Sequence, residues 1–271
     1  MFNTIIMFLF GLIVGSFLNV CIFRMPRGIS VVKPRSFCPN CKKMIRWYEN
    51  IPLLSYIALR GECPNCKARI SFRYFFVELI TGIGFLALYF EFSLTLEFFA
   101  ILVLMSGLII ATFVDIDFRE IPDEVTMGGM VVGLLFGLIK SFTTGFSLSW
   151  NLPIVKSLVG LLVGGGVLYL TGLFGNFLFF KLMKRDNIDG ETESMGGGDI
   201  KLLAMIGSFL GWEMALLVFF IAPFIGSFAG IYELVKKKKH TIPYGPSIAL
   251  ASVISIFWVD RIVFWLFGIR M

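Results

Sequence analysis

Long runs of apolar residues recur along this chain and constrain its fold more than any other feature of the sequence. Hydrophobic residues make up 57% of the 271 positions and charged residues only 15%, a balance outside the range of water-soluble domains. A helix that crosses a bilayer needs about 20 apolar residues. The pattern therefore predicts an all-α, polytopic membrane helical bundle of about eight transmembrane helices. The expected spans lie near residues 2–23, 74–91, 97–114, 125–142, 154–180, 199–211, 213–234 and 245–268.

Lysine and arginine are concentrated in a few segments between the spans and indicate the orientation of the chain. Eleven of the 24 basic residues fall between Arg24 and Arg73, and another basic run covers residues 236–239. Cytoplasmic loops carry the excess of basic residues, so these segments are expected in the cytoplasm. The net charge of +6 then reflects topology and affinity for anionic membrane lipid. No base-reading pattern points to nucleic acid as a partner.

Four cysteines in the basic segment form two identical tetrapeptides. Cys38 and Cys41 enclose one Pro-Asn pair, Cys63 and Cys66 enclose another, and 21 residues separate the two pairs. Two such knuckles are typical of a zinc site in which four thiolates surround a tetrahedral ion. Disulfides are the alternative, which a reducing cytoplasm disfavours. Residues 25–73 are thus expected to form a small cytoplasmic loop domain that zinc holds together, because so short a segment has little apolar core.

Two aspartates at the ends of expected spans are candidate catalytic residues. Asp199 follows Gly196, Gly197 and Gly198, and Asp115 ends another apolar segment. A carboxylate pair cleaves a peptide when one member takes a proton from water and the other donates a proton to the scissile carbonyl. The glycines are expected to form a turn with positive φ, against which an extended substrate peptide can lie. In the predicted topology both aspartates lie at cytoplasmic helix ends, so they can meet.

The segment around Asp199 is unusual for a membrane span. The apolar stretch at residues 202–212 is too short to cross a bilayer, so its helix is expected to begin at the membrane surface or not to span fully. The polar residues 185–193 before it predict a loop that gates access to Asp199.

Other interpretations of these carboxylates stay open at this point. Asp117 is two residues from Asp115 and competes with it for the catalytic role. Asp199 can equally be a carboxylate that starts a helix, since acidic residues are favoured in the first helical turn. Two isolated aspartates can also form a proton relay. The competing class is therefore a non-enzymatic membrane transporter or assembly factor with a zinc-bound cytoplasmic domain.

Several motifs, in order along nearly the whole chain, resemble those of the bacterial type IV prepilin peptidases, also called prepilin leader peptidase/N-methyltransferases. The sequence that ends at Asp199 is similar to the family's second catalytic motif, GxGD, and the sequence around Asp115 to the first. Glu49 is a small departure, because many relatives carry aspartate there. The motifs that match are residues 15–20 with 24–26, 46–56, 71–74 with 77–79, 115–123, 193–202 and 242–246.

The resemblance implies a bifunctional enzyme of the bacterial inner membrane whose active site faces the cytoplasm. Its catalytic pair would be Asp115 and Asp199, and it would cleave the basic leader from type IV prepilins and type II secretion pseudopilins after a glycine. It would then methylate the new terminal residue, usually phenylalanine, with S-adenosylmethionine as methyl donor. In the family the cysteine loop is associated with this second activity. The implied division is a first transmembrane helix (1–24), the loop domain (25–73) and the peptidase bundle (74–271).

No sequence motif reveals where the methyl donor binds. The chain has no Gly-x-Gly-x-x-Gly pattern between a strand and a helix, so a Rossmann methyltransferase is not predicted. Glu49 and Asn50, between the two cysteine pairs, are candidates, and the donor's binding residues are otherwise unassigned.

Overall fold

The computed structural model consists mainly of α-helices that follow the apolar runs. It describes residues 2–144, 152–178, 195–237 and 243–267, and the expected gating loop at residues 185–193 lies outside them. The helices are α1 (Phe2–Arg24), α2 (Leu54–Ala58), α3 (Phe72–Phe92), α4 (Leu96–Phe118), α5 (Asp123–Thr144), α6 (Pro153–Asn176), α7 (Gly197–Leu210), α8 (Trp212–Lys237) and α9 (Gly245–Phe267).

Five of the helices in the described ranges are long and apolar enough to cross a membrane, namely α1, α3, α4, α5 and α6. The apolar stretches found in α8 and α9 are shorter, Trp212–Phe228 and Gly245–Trp258, and α7 has only 14 residues. The all-α membrane bundle is therefore confirmed, and so is the short helix at Asp199. The total of eight membrane crossings stays a prediction.

Local sequence signals set where the helices begin and end. α5 starts with Asp123 and Glu124, whose negative charges are favoured at the positive end of the helix dipole. α6 starts with Pro153, whose missing N–H is no loss in a first turn. Gly211 is the C-cap of α7, and its φ of 86° lies in the left-handed region that glycine adopts readily. Gly211 therefore separates α7 from α8, although the residues on both sides of it are apolar.

The chain forms two compact units, Met1–Ile110 and Ala111–Met271. In the first unit α1 packs along α3, and the segment between these helices carries α2 and both cysteine pairs. Gly11 and Gly15 permit the close contact, because a Cβ on either would lie 2.8 Å from a backbone Cα of α3. The functional division into residues 1–24, 25–73 and 74–271 stays a prediction.

In the second unit α7 lies among α5, α6, α8 and α9. Its closest neighbour is α6, since a Cβ added to Gly160 or Gly207 would collide with the backbone of the other glycine. The residues of α7 from Leu202 to Ser208 are all buried. α7 is therefore fixed on several sides, and its first turn, which carries Asp199, is held in a defined position.

Candidate active site and metal centre

Asp115 lies near the end of α4 and is only 6% exposed. Its Oδ2 accepts a hydrogen bond of 2.9 Å from the backbone N–H of Gly245, the first residue of α9. Asp117 lies two residues further along α4 and is exposed. Successive helical residues are rotated by about 100°, so two carboxylates at this spacing face different directions. The structure thus turns Asp115, and not Asp117, toward the interior of the second unit.

Asp199 is the third residue of α7 and is partly exposed. The carbonyl of Gly196 accepts hydrogen bonds from the N–H groups of Asp199, at 3.1 Å, and Ile200, at 3.4 Å. This is the start of a helix, where a carboxylate is favoured with or without a catalytic role. The helix-start interpretation therefore describes the position of Asp199 correctly, and its neighbours decide what else it can do.

Ile121 connects the surroundings of the two aspartates. Ile121 lies between α4 and α5. A Cβ added to Gly198 would lie 3.0 Å from the Cβ of Ile121. A Cβ on Gly245 would lie 3.3 Å from Ile121 Cδ1. Gly198 directly precedes Asp199, whereas Gly245 holds Asp115. Each candidate aspartate thus adjoins a glycine that packs against Ile121.

The start of α9 contributes two groups that the sequence motifs leave without a role. A Cβ on Gly245 would lie 2.8 Å from Asp115 Oδ2, so only glycine leaves this carboxylate its room. Burial, and after it the nearby charge of Asp199, raises the pKa of Tyr244 to about 12. The family motif at residues 242–246 indicates that this segment has a role. It does not reveal that the Gly245 N–H binds Asp115.

A salt bridge ties the first turn of α7 to the first turn of α5. Lys201 Nζ lies 2.7 Å from Oδ1 and 2.8 Å from Oδ2 of Asp123. Both side chains are partly exposed, so the pair contributes only about 0.2–1 kcal/mol to stability. The salt bridge matters mainly for geometry. Lys201 is two residues from Asp199, so its contact with Asp123 helps to position the first turn of α7 against α5. Sequence spacing does not reveal the pair, since 78 positions separate the partners.

The three glycines before Asp199 start a helix and do not form the expected turn. Gly196 is the N-cap with φ −68°, Gly197 and Gly198 are the first residues of α7, and none of the three has positive φ. The expected left-handed turn is therefore wrong, because glycine is also accepted at an N-cap. The glycines instead provide space. A Cβ on Gly196 would lie 3.1 Å from Asp199 Oδ2, whereas one on Gly197 would meet no atom of the described residues within 4 Å.

The two Cys-x-x-Cys pairs fold into hairpins of the same shape. In each, the first cysteine donates its N–H to the carbonyl five residues later and accepts from the N–H four residues later. Lys42 and Lys67 occupy equivalent positions, and each has a φ of 59°. The repeated tetrapeptide is therefore a repeated structure. The four hydrogen bonds join Cys38 to Lys43 at 2.9 Å and to Lys42 at 2.8 Å, and Cys63 to Ala68 at 2.9 Å and to Lys67 at 3.0 Å.

The hairpins bring the sulfur atoms of Cys38, Cys41, Cys63 and Cys66 within 4.8 Å of one another. The Cys38 and Cys66 sulfurs are 3.9 Å apart. Zinc–sulfur bonds of about 2.3 Å in a tetrahedron put the sulfurs roughly 3.8 Å apart, so the arrangement fits the ion. None of these four cysteines, all in the described part of the chain, forms a disulfide.

Hydrogen bonds favour the thiolate form in the second pair. The N–H of Ala68, with the side chain of Asn40, lowers the pKa of Cys66 to about 6. The N–H groups of Cys66 and Asn65 lower the pKa of Cys63. Metals bind the thiolate and not the thiol, so these contacts suit a metal site.

Two family models match successive parts of the chain. The Bacterial Peptidase A24 N-terminal domain matches residues 9–92, which include the four clustered cysteines. The Type IV leader peptidase family matches residues 102–231, which include both candidate aspartates. Together the two models cover most of the chain.

Similar proteins from three bacteria all carry the name prepilin leader peptidase/N-methyltransferase. The Aeromonas hydrophila protein is 34% identical, over 96% of this chain and 92% of its own. The Pseudomonas aeruginosa protein is 35% identical over 94% and 90%, and the Legionella pneumophila protein is 31% identical over 100% and 96%. No solved structure matches the chain. The family models and the long alignments agree with each other, and the chain belongs to the type IV leader peptidase family.

Proposed function

We propose that this protein removes the leader peptide from type IV prepilins and pseudopilins and then methylates the exposed amino group. The observation that carries the peptidase half is the cluster around Ile121, which gathers Asp115, Gly245 and the first turn of α7. The family relatives are named for both activities. The alternative of a non-enzymatic transporter or assembly factor is not favoured, because neither the family nor its named members suggest one.

Asp115 and Asp199 are the proposed catalytic pair. The Gly245 N–H fixes the Asp115 carboxylate through Oδ2, which leaves the other oxygen for water or for a shared proton. Asp199 is more exposed and stands on a helix that α6 and the Lys201–Asp123 salt bridge hold in place. One carboxylate takes a proton from water, and the other protonates the scissile carbonyl. The peptide is then hydrolysed without a covalent intermediate.

The substrate has to present an extended segment to this pair. Helical backbone is protected by its own hydrogen bonds, so the peptide bond at the cleavage site must leave any helix first. A prepilin has a basic leader followed by a hydrophobic helix, which suits docking in lipid beside the bundle. Gly197, two residues from Asp199, has room for a Cβ among the described residues and offers its backbone to an extended strand.

Gly198→Val is expected to reduce prepilin cleavage about a hundredfold, the size of effect that a small displacement in an active site produces. Even a methyl group at this position would lie 3.0 Å from Ile121 Cβ, and valine adds two more carbons. The first turn of α7 then shifts and moves Asp199. Cleavage of a purified prepilin in detergent measures the effect. Gly128→Val is the matched control, because a Cβ on Gly128 in α5 meets nothing within 4 Å. Equal rates for wild type and Gly198→Val would contradict the expected tight contact.

The methylation half of the proposal rests on the loop domain of the first unit. S-adenosylmethionine supplies the methyl group when bound, and this chain's residues must hold it beside the pilin's new amino group. The four thiols of the cysteine cluster fit zinc in a closed tetrahedron, which leaves no open coordination position. The ion's role is therefore structural, as expected for a segment with a small apolar core.

Purified protein is expected to carry about one zinc per chain, as a site with four protein ligands does. Cys→Ser at position 38, 41, 63 or 66 removes one ligand and should lower the metal content measured by elemental mass spectrometry. Methylation should fall more than cleavage, because the cluster lies in the loop domain. Cys21→Ser is the control, since Cys21 is buried in α1 away from the cluster. A metal-free protein whose four thiols all react with alkylating agents would refute the zinc site.

The proposed location is the bacterial inner membrane, with the catalytic pair facing the cytoplasm. Its support is the concentration of basic residues between Arg24 and Arg73 and around residues 236–239. The basic prepilin leader lies on the same side in this orientation.

Mass spectrometry of a prepilin coexpressed with this protein tests both activities at once. Leader loss and the gain of one methyl group are separate mass changes, so each half of the proposal has its own readout. A pilin that keeps its leader would refute the peptidase assignment. A cleaved pilin without the added methyl mass would refute only the transferase assignment.

A further inference from the structure

A cavity of about 400 Å³ lies in the first unit, beneath the cysteine hairpins. Residues of α1, of α3 and of both hairpins line it, among them Asn19, Glu49, Asn50 and Glu78. Pockets for small molecules in proteins have volumes of about 300–1,000 Å³. The cavity is therefore large enough for a nucleoside-sized ligand.

Asn19 lines this cavity and carries a buried acceptor with no protein partner among the described residues. The side chain is 2% exposed, and its Nδ2 donates a hydrogen bond of 3.0 Å to the carbonyl of Tyr74. Its Oδ1 accepts no hydrogen bond within the described part of the protein. A buried acceptor without a donor costs about 1–3 kcal/mol, so such groups call for an explanation. A bound molecule with N–H groups would supply the donor.

Glu78 places a carboxylate on the same wall. It is 8% exposed, and its Oε2 accepts a hydrogen bond of 2.8 Å from the N–H of Leu53. Gly15 approaches the backbone of Glu78, and Asn19 binds Tyr74 one turn further along both helices, so Asn19 and Glu78 stand on neighbouring turns of the packed pair α1 and α3. A carboxylate within an apolar span is expensive and marks a site where a partner is expected. The mechanism of leader cleavage does not use this carboxylate.

We propose that this cavity is the binding site of the methyl donor, whose ammonium group pairs with Glu78 beside Asn19. The donor carries a primary ammonium, a positively charged sulfur and a carboxylate. The buried Glu78 carboxylate complements its positive groups, and basic side chains that also line the cavity, such as Arg69, complement its carboxylate. Glu49 and Asn50, the candidates from the loop signature, line the same cavity. The inference rests on the proposed methyltransferase activity and names the residues that serve it.

The test is calorimetric titration of the purified protein in detergent with S-adenosylhomocysteine, the donor's product form, which retains the ammonium. Wild type should bind, and Glu78→Gln should weaken binding about tenfold or more, as expected for a lost hydrogen bond to a charged group. Asn19→Leu should weaken binding as well. Thr81→Val is the matched control: Thr81 is buried one turn beyond Glu78 and does not line the cavity. Prepilin cleavage by the same samples reports that the variants are folded, and it should be unchanged in all three.

The outcomes separate this inference from the proposed function. Wild-type affinity in Glu78→Gln and Asn19→Leu would overturn the cavity as the donor site, even if wild type methylates pilin. Unchanged affinity with lost methylation would mean that Glu78 serves the pilin's amino group, which also overturns the proposal. A wild-type protein that methylates pilin yet shows no binding of S-adenosylhomocysteine would overturn it too. Absence of both binding and pilin methylation in wild type would refute the transferase activity itself.

Discussion

Asp115→Asn and Asp199→Asn should each abolish removal of the prepilin leader, with a loss of roughly a thousandfold or more. Asparagine keeps the size of the side chain but can neither take a proton from water nor hold the shared proton. The Gly245 N–H can still bind the amide oxygen at position 115, so the local structure should survive. Prepilin cleavage in detergent measures the loss, and membrane insertion of each variant shows that the protein still folds.

Asp117→Asn is the matched control for this experiment. Asp117 is in the same helix and two residues away, yet it is exposed where Asp115 is buried. Its substitution should therefore be much milder. Cleavage near the wild-type rate in Asp115→Asn or Asp199→Asn would refute the assignment of the pair, and a full loss in Asp117→Asn alone would reassign the role to Asp117.

Gly245→Ala should reduce cleavage about a hundredfold while lowering the stability of the protein by only about 1 kcal/mol. The added Cβ would lie 2.8 Å from Asp115 Oδ2, closer than such contacts allow. Because that atom ends a side chain, the strain is relieved by rotating the Asp115 carboxylate away, and the cost in folding is about that of its hydrogen bond to the Gly245 N–H. The carboxylate that rotates is the one proposed to take part in cleavage. The structure thus predicts that activity and stability separate at this position.

Thermal unfolding and prepilin cleavage, measured on the same preparation, test the separation. Gly166→Ala is the control, since Gly166 lies in α6 and a Cβ there meets nothing within 4 Å. That substitution should keep full activity and stabilise the helix by about 0.5–1 kcal/mol. Wild-type cleavage by Gly245→Ala would show that Asp115 does not depend on the space that glycine leaves.

Helix positions were predictable because a bilayer demands long apolar segments, and such segments are visible without knowledge of the fold. The expected span near residues 97–114 became α4, Leu96–Phe118, and the one near 125–142 became α5, Asp123–Thr144. The start of α7 was less predictable. Glycines favour turns and N-caps alike, and the helix starts at Gly197 because contacts with α6 and Ile121 hold that segment.

The cysteine site was predictable for a similar local reason. Each Cys-Pro-Asn-Cys tetrapeptide specifies a hairpin within about six residues, and two identical hairpins can share one tetrahedral ion. The local sequence was therefore enough to predict that the four cysteines come together. The cavity below the hairpins was not predictable, because its wall is formed by Asn19 of α1 and Glu78 of α3, and their proximity depends on how these helices pack.

The amino-acid sequence by itself determined the membrane class, the four cysteines that cluster and the two segments that carry catalytic candidates, because each depends on local composition or spacing. Spacing left Asp115 and Asp117 as alternatives that only the family resemblance separated. The tertiary structure showed independently that Asp115 is the buried one, since burial depends on which helix face meets the rest of the second unit. It also decided that Gly245, 130 positions away, donates its N–H to Asp115. Contacts between residues so far apart arise from helix packing, and no local rule of sequence specifies them.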